Sequence, residues 1–403
     1  VIDRGDAERL DAADPLASFR ERFVISDPDT LYLDGNSLGR LPLASRQALH
    51  ERIDQWGAEL VSGWGEWIEL PQQAGDVLAA GALGALPGEV IVTDSTTVNL
   101  FKLASAVLSQ REGAIVTDSG NFPTDRYVLD GLARRHGRGL ISFDADPIAG
   151  PQAADVARAC AGNEIALVSL SHVAYRSGAL ADVELITREA PAPLIWDLSH
   201  SAGAVPIELN RWGVELAVGC TYKYLNSGPG APAYLYVASS RQQDLRTPIQ
   251  GWFGQRDQFA MERPYYPEPG IRGWLAGTPS ILATTTVEQG ARLIAEAGTQ
   301  AIGDKARALT SFLIELYDER LAPLGFELGT PRDPARRGAH VSLRHEEARS
   351  LTQALIERAK VIPDFRGPDS IRLGLSPLYT SFADAYEATL RLGDLTAERA
   401  KPE

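Results

Sequence analysis

Two stretches of the chain carry residue types suited to chemistry at a carbonyl. Asp197 closes the apolar run "PLIWD" (193–197), and Lys223 stands in "TYKYLNSGPG" (221–230), just after a second apolar run, "ELAVGC" (215–220). A lysine amine is a nucleophile toward an aldehyde, and a carboxylate facing it can hold a ring nitrogen in its protonated form. Alone, each has a plainer reading, since an aspartate at a strand end commonly caps a turn and a single lysine is commonly solvated. Together, at the ends of two neighbouring strands, they suit pyridoxal phosphate (PLP), which needs an amine for its aldehyde and an acid for its pyridine nitrogen.

A phosphorylated cofactor also needs an anion cradle. "TDSTTVNLFKL" (93–103) offers one, with Asp94, Ser95, Thr96 and Thr97 at a helix start, where backbone NH groups, the helix dipole and hydroxyls converge. An ordinary N-cap would use the same residues. "LSHSAGAVP", following Asp197, adds Ser199, His200, Ser201 and Gly203 at the carboxyl end of a strand, where open α/β folds bind ligands.

The elements that must position these groups are legible as apolar runs: "VIVT" (90–93), "AIVT" (114–117), "LISF" (140–143), "IALVSL" (165–170), "PLIWD", "ELAVGC" and "AYLYV" (233–237). Nearly unbroken apolar strands are expected where a mostly parallel sheet is covered on both faces. Helical spacing separates them over 96–110 and 124–137, so the fold class is α/β. Beyond residue 290 the pattern changes to a helix over 290–320, a strand over 339–345, a helix over 347–359 and a strand over 370–375, a smaller α+β domain. The expected division is an N-terminal segment, 1–55, joining the small domain, a large cofactor-binding domain over 56–285, and the small domain over 286–403. Residues 250–281, rich in Gly, Pro and aromatics, read as a functional loop region.

At 403 residues the chain has length for two domains at about 100–200 residues each. A net charge of −14 argues against a nucleic-acid partner. No stretch approaches the roughly 18 uncharged apolar residues of a membrane span, and the opening residues lack the pattern of a signal peptide. The expectation is a cytoplasmic protein whose Cys160 and Cys220 are buried free thiols. His50, His136, His340 and His345 show no metal spacing and read as structural or exposed, and no metal is expected. Arg372 lies in an apolar strand pattern, which calls for a buried anionic partner. Phe122 and Tyr222 alone read as packing residues, and Trp64 and Trp252 as core or interface.

The motifs taken together resemble the kynureninase family. "YLDGNSLG" (32–39), "DSTTVNLFKL" (94–103), "NFPTDRY" (121–127), "WDLSHSAGAVP" (196–206), "TYKYLNSGPG" (221–230), "GWFGQRD" (251–257) and "IRLGLSPLYTSFADAYEA" (371–388) run in order through nearly the whole chain. "DLSHSAG" with "YKYLN" is shared in part by class V aminotransferases and cysteine desulfurases, which are the alternative reading. A catalytically silent binding protein on the same fold is another, and the joint retention of Lys223, Asp197 and Arg372 speaks against it.

The resemblance implies the fold-type-I PLP-dependent transferase fold, with a mostly parallel seven-stranded sheet in the large domain. It implies hydrolysis of L-kynurenine to anthranilate and L-alanine in tryptophan catabolism, along the kynurenine pathway that also feeds NAD biosynthesis. Lys223 is then the Schiff-base lysine, Asp197 the partner of the pyridine nitrogen and Phe122 the aromatic stacked on the ring. Asp125 faces the ring's hydroxyl side, while Thr96, Thr97, Ser171, His200 and Tyr222 are cofactor contacts. Trp252 and Thr278 reach the phosphate from the second subunit of a homodimer. Arg372 holds the substrate carboxylate, and Asn36, Trp64, Gly277 and Thr278 belong to the substrate site. Tyr222 is the candidate acid/base at the γ-carbonyl, with His200 as its alternative. Animal-type members carry histidine and asparagine where Trp64 and Thr278 align. An indole beside Gly277 and Thr278 would leave a ring hydroxyl without a partner, making 3-hydroxykynurenine the poorer substrate.

Overall fold

The computed structural model describes residues 1–261 and 264–399. Its main sheet has seven strands in the order Val90–Val92, Tyr234–Val237, Leu216–Gly219, Leu194–Asp197, Ile165–Ser171, Ala114–Asp118, Leu140–Phe143. All pairings are parallel except those of Tyr234–Val237, which runs antiparallel to both neighbours. Alternate residues feed two separate cores: Val90, Val92, Val168, Trp196 and Tyr236 pack on one face, and Ile91, Leu167, Ile195, Leu216 and Leu235 on the other. Burial on both faces is why these strands are apolar without alternation.

A four-stranded antiparallel sheet forms the second core, in the order Asp364–Arg366, Ser370–Gly374, His340–Arg344, Glu327–Leu328. Leu313, Leu351, Leu355 and Leu392 pack on it with Val341, Leu343, Ile371 and Leu373. The N-terminal segment adds to this core through Ala7, Leu31 and Leu33, and Leu31–Tyr32 pairs with Val361–Ile362.

One expectation needs correction. The single helix anticipated over 290–320 is two, Ile281–Ala297 and Thr299–Leu316, broken at Gly298 with φ +79°. The first packs on helices Leu43–Glu59 and Leu70–Leu78 and places Val287, Ala291 and Ile294 in the large core. The second enters that core with Ile302 and reaches the small one at Leu309. The chain therefore passes between cores within helix Thr299–Leu316, whereas residues 55 and 285 lie inside helices packed against each other.

Candidate active site

The parallel strands end together, so their carboxyl ends deliver side chains to one cavity of about 280 Å³. Ser171 and Asp197 are register partners on adjacent strands, and Asp197 in turn pairs with Val218. The cavity is lined by Thr96, Thr97, Phe122, Asp125, Ser171, Asp197, His200, Tyr222 and Lys223, nine residues anticipated from the sequence.

Lys223 is buried, and its Nζ lies 3.0 Å from His200 Nε2. It stands 5.7 Å from the centroid of Phe122 and 5.9 Å from that of Tyr222. The turn after it closes through Asn226 NH donating to the Lys223 carbonyl at 2.9 Å, with Asn226 in the left-handed region at φ +57°. Gly39 of the N-terminal "GNSLG" docks on this turn, its NH donating to the Tyr222 carbonyl at 2.8 Å. A Cβ at Gly39 would meet the Lys223 carbonyl at 2.3 Å, so only glycine permits the approach.

Two carboxyls share the opposite wall. Asp197 Oδ1 accepts from Ser199 NH at 2.8 Å. Asp125 is buried with neither oxygen met by a donor from another group, and burial, then the charge of Asp197, pushes it well above the ordinary carboxyl range. Asp125 therefore holds a proton that it can donate to Asp197. Tyr222 is likewise pushed up, by burial first and Cys220 next, and stays a neutral proton donor.

Helix Thr96–Leu108 starts at the cavity, N-capped by Ser95, whose Oγ accepts from Val98 NH at 3.3 Å. Inside its second turn, fully buried Lys102 donates to Asp94 Oδ2 and to the Trp274 carbonyl, both at 2.6 Å. This ties the cradle to the segment that carries Gly277 and Thr278.

Arg372 is buried and does have its anion. Its Nε donates to Asp364 Oδ2 at 3.0 Å, and its Nη1 to the carbonyl of Tyr175, a residue of the cavity wall, at 2.5 Å. With its amide oxygen turned toward the guanidinium, Asn36 accepts from Nη2 at 3.0 Å and Nε at 3.3 Å. Asn36 rests on Gly374, where a Cβ would lie 1.8 Å from the end of its amide that faces away from Arg372.

Six anticipated residues do not line the cavity: Arg372 and Asn36, joined to its wall through Tyr175, and four that stand elsewhere. Trp64 packs between Trp67 and Phe253, at 5.7 and 5.6 Å, and Trp252 stacks edge-on to Phe253 at 4.5 Å. Gly277 and Thr278 line a neighbouring cavity that shares Asp94 and Gly230 with the first. Sequence reasoning missed Tyr175, whose ring meets Phe122 at 5.2 Å, and Asp364, Lys102 and His340. His340, read as structural or exposed, is wholly buried with its ring 5.7 Å from His200. A lone histidine or aspartate inside a strand pattern carries no spacing signal that marks such contacts. Cys160 and Cys220 are buried free thiols.

A buried amine, a carboxyl with a protonated acid beside it, an aromatic side wall and a helix N-terminus fit PLP at its aldehyde, ring nitrogen, ring face and phosphate. Two solved structures share the fold: the apo cysteine desulfurase of Thermococcus onnurineus (TM-score 0.79, 18% identity, 97% of this chain and 98% of that one) and C-DES with glycine covalently linked to its PLP cofactor (TM-score 0.80, 19%, 98% and 100%). The fold is that of fold-type-I PLP-dependent enzymes, and the cavity's side chains suit that cofactor. The kynureninase of Pseudomonas fluorescens is 41% identical, covering 97% of this chain and 95% of its own, and that of Burkholderia pseudomallei 40% with the same coverage. The sequence model of the kynureninase C-terminal domain matches residues 302–392. The chain belongs to the kynureninase family, PLP-dependent hydrolases.

Proposed function

We propose that the protein hydrolyses L-kynurenine at its Cβ–Cγ bond, giving anthranilate and L-alanine. The observation that carries this reading is that Lys223 and Asp197 line one cavity whose wall residue Tyr175 is held by Arg372 through its carbonyl.

Bound PLP supplies an electron sink that stabilises negative charge developing on the substrate's amino-acid carbons. Thr96, Thr97 and the helix N-terminus hold its phosphate, Phe122 covers its ring, and Asp197 keeps the ring nitrogen protonated. Ser171, hydrogen-bonded to Asn121 at 2.6 Å, borders the same wall. The Lys223 amine would anchor the cofactor and is placed to move the proton at the substrate's Cα. Arg372, steadied by Asp364, receives the α-carboxylate with Asn36 beside it. Cleavage consumes one water: its oxygen ends in the anthranilate carboxylate, and a proton ends on Cβ, which becomes the alanine methyl. Tyr222, neutral and at the cavity wall, donates at the γ-carbonyl.

The proposal includes a homodimer in which Trp252 and Thr278 complete the partner's site, and a preference for kynurenine over 3-hydroxykynurenine set by Trp64, Gly277 and Thr278. Their separation from the cavity in their own chain supports this arrangement. No helix among the described residues is long and apolar enough to cross a membrane, and a cytoplasmic location suits two buried free thiols. The test is the PLP-loaded protein with L-kynurenine, following anthranilate fluorescence and alanine. Equimolar products are expected, and absence of anthranilate refutes the activity. A higher kcat/KM for 3-hydroxykynurenine refutes the preference alone.

A further inference from the structure

The cavity assigned to PLP is short of positive charge. Among the described residues its wall carries three carboxyls, Asp94, Asp125 and Asp197, against the single amine of Lys223, and no arginine. That amine is assigned to the cofactor's aldehyde, and Asp125 and Asp197 to its ring, which leaves Asp94 beside the helix start where the phosphate belongs. A lone carboxylate there would repel a phosphate dianion, because charges inside a cavity are poorly screened by water.

A cation meets Asp94 from behind the wall. Lys102, wholly buried, donates from Nζ to Asp94 Oδ2 and to the Trp274 carbonyl, each at 2.6 Å. Thr93 Oγ1 donates to the same carboxyl oxygen at 3.0 Å. Amine and carboxyl together are neutral whichever of them holds the shared proton, so the pair as a unit does not oppose an anion.

The backbone around Asp94 is held by other groups. Its φ is +46°, in the left-handed region, and Ala233 NH donates to its carbonyl at 2.9 Å. Asn99 Nδ2 donates to the Thr93 carbonyl at 2.8 Å, and Thr93 NH to the Ala233 carbonyl at the same distance. The turn has its own bonds, which leaves the lysine to set charge more than backbone shape.

We infer that Lys102 is a positioning residue for the cofactor's phosphate: acting through Asp94, it cancels the carboxyl charge beside the cradle and so lets a dianion settle at Thr96 and Thr97. This rests on the assignment of that helix start to the phosphate, but its test needs no turnover.

Titrating the full chain, free of cofactor, with PLP and with pyridoxal, which lacks the phosphate, gives a ratio of dissociation constants that isolates the cradle, provided ionic strength is fixed. Wild type should prefer PLP. Lys102→Met, similar in length and uncharged, should weaken PLP by about tenfold or more and pyridoxal by less than about twofold. Adding Asp94→Asn removes the stranded carboxyl and should bring the ratio back to within about threefold of wild type. Asp94→Asn alone should not lower the preference for PLP. A packing role for the lysine predicts both ligands weakened alike and no recovery in the double variant, where the Trp274 carbonyl still lacks its donor. The inference is overturned if Lys102→Met leaves the ratio unchanged, if the double variant does not recover it, or if Asp94→Asn alone lowers the preference. Should Lys102→Met fail to fold, the double variant and Asp94→Asn still decide, since a lost preference for PLP in either overturns it. A wild type indifferent to the phosphate would remove the cradle assignment and the inference together. Failure to cleave kynurenine would sink the proposed activity and leave the affinity ratios standing.

Discussion

Arg372 donates its Nε–H to Asp364 Oδ2 at 3.0 Å, so the arginine assigned to the substrate carboxylate already has a carboxylate of its own. A guanidinium has five donors, and Asp364 orients the fork without using all of them. Arg372→Lys keeps the charge and loses the fork, so KM for L-kynurenine should rise about 10- to 100-fold with a smaller change in kcat. Arg372→Ala also strands Asp364, whose side chain is 15% exposed. Because Arg366 remains 3.0 Å from the same oxygen, the stability loss should be about 2–3 kcal/mol, below that of a wholly unpaired buried ion. Denaturant midpoints check it, and an unchanged KM in Arg372→Lys would remove the arginine from substrate binding.

Asp34 couples this cluster to pH. Burial, opposed by a bond from Ser37, raises its carboxyl from 3.8 to about 6. Below pH 3.8 folded and unfolded chains both hold the proton. Between 3.8 and about 6 only the folded chain does, so this group's contribution to stability falls as pH rises through that window. Asp34→Asn mimics the protonated acid. The variant should match wild type near the bottom of the window and exceed it above the top by about 1–2 kcal/mol, a figure reduced for partial exposure. Urea unfolding at several pH values tests this, and a difference independent of pH would contradict it.

Lys223 should be dispensable for folding and required for chemistry. Lys223→Ala should melt within a few degrees of wild type and retain no cofactor absorbance after borohydride reduction and denaturation. Its kcat should fall by about 10³-fold or more, the scale for losing a covalent nucleophile and proton-transfer group. Full turnover in this variant would show the lysine misassigned.

What the sequence made legible follows from what is local. The seven strands were readable because each is an apolar run bounded by polar turns, and Asp197 and Lys223 because each follows one of those runs. A buried anion was expected for Arg372, but Asp364 could not be singled out, since it sits on a three-residue strand and meets Arg372 only through antiparallel pairing. The approach of His340 to His200 was invisible for the same reason, since the two rings meet only in the folded chain. Gly298 was read through because one glycine in a helical pattern costs only about 1 kcal/mol, which tertiary packing can override. Here it adopts a positive φ and ends the helix.

The proposed dimer makes a prediction that no single-chain site can share. Trp252 is 40% exposed, Gly277 and Thr278 are exposed, and none of the three lines the cavity that holds Lys223 of the same chain. In a two-fold dimer each site would combine Lys223 of one subunit with Trp252 and Thr278 of the other. Lys223→Ala and Trp252→Ala proteins should each be nearly inactive alone. In a mixed dimer, one site pairs an intact lysine with an intact tryptophan, and the other has lost both. Random reassociation makes about half the dimers mixed, each with one working site, so activity should recover to about a quarter of wild type. If lysine and tryptophan served the same chain's site, every site in the mixture would lack one of them and nothing would be regained. Recovery no greater than the sum of the separate proteins, or a sedimentation mass equal to the 43.5 kDa chain, would rule the shared site out.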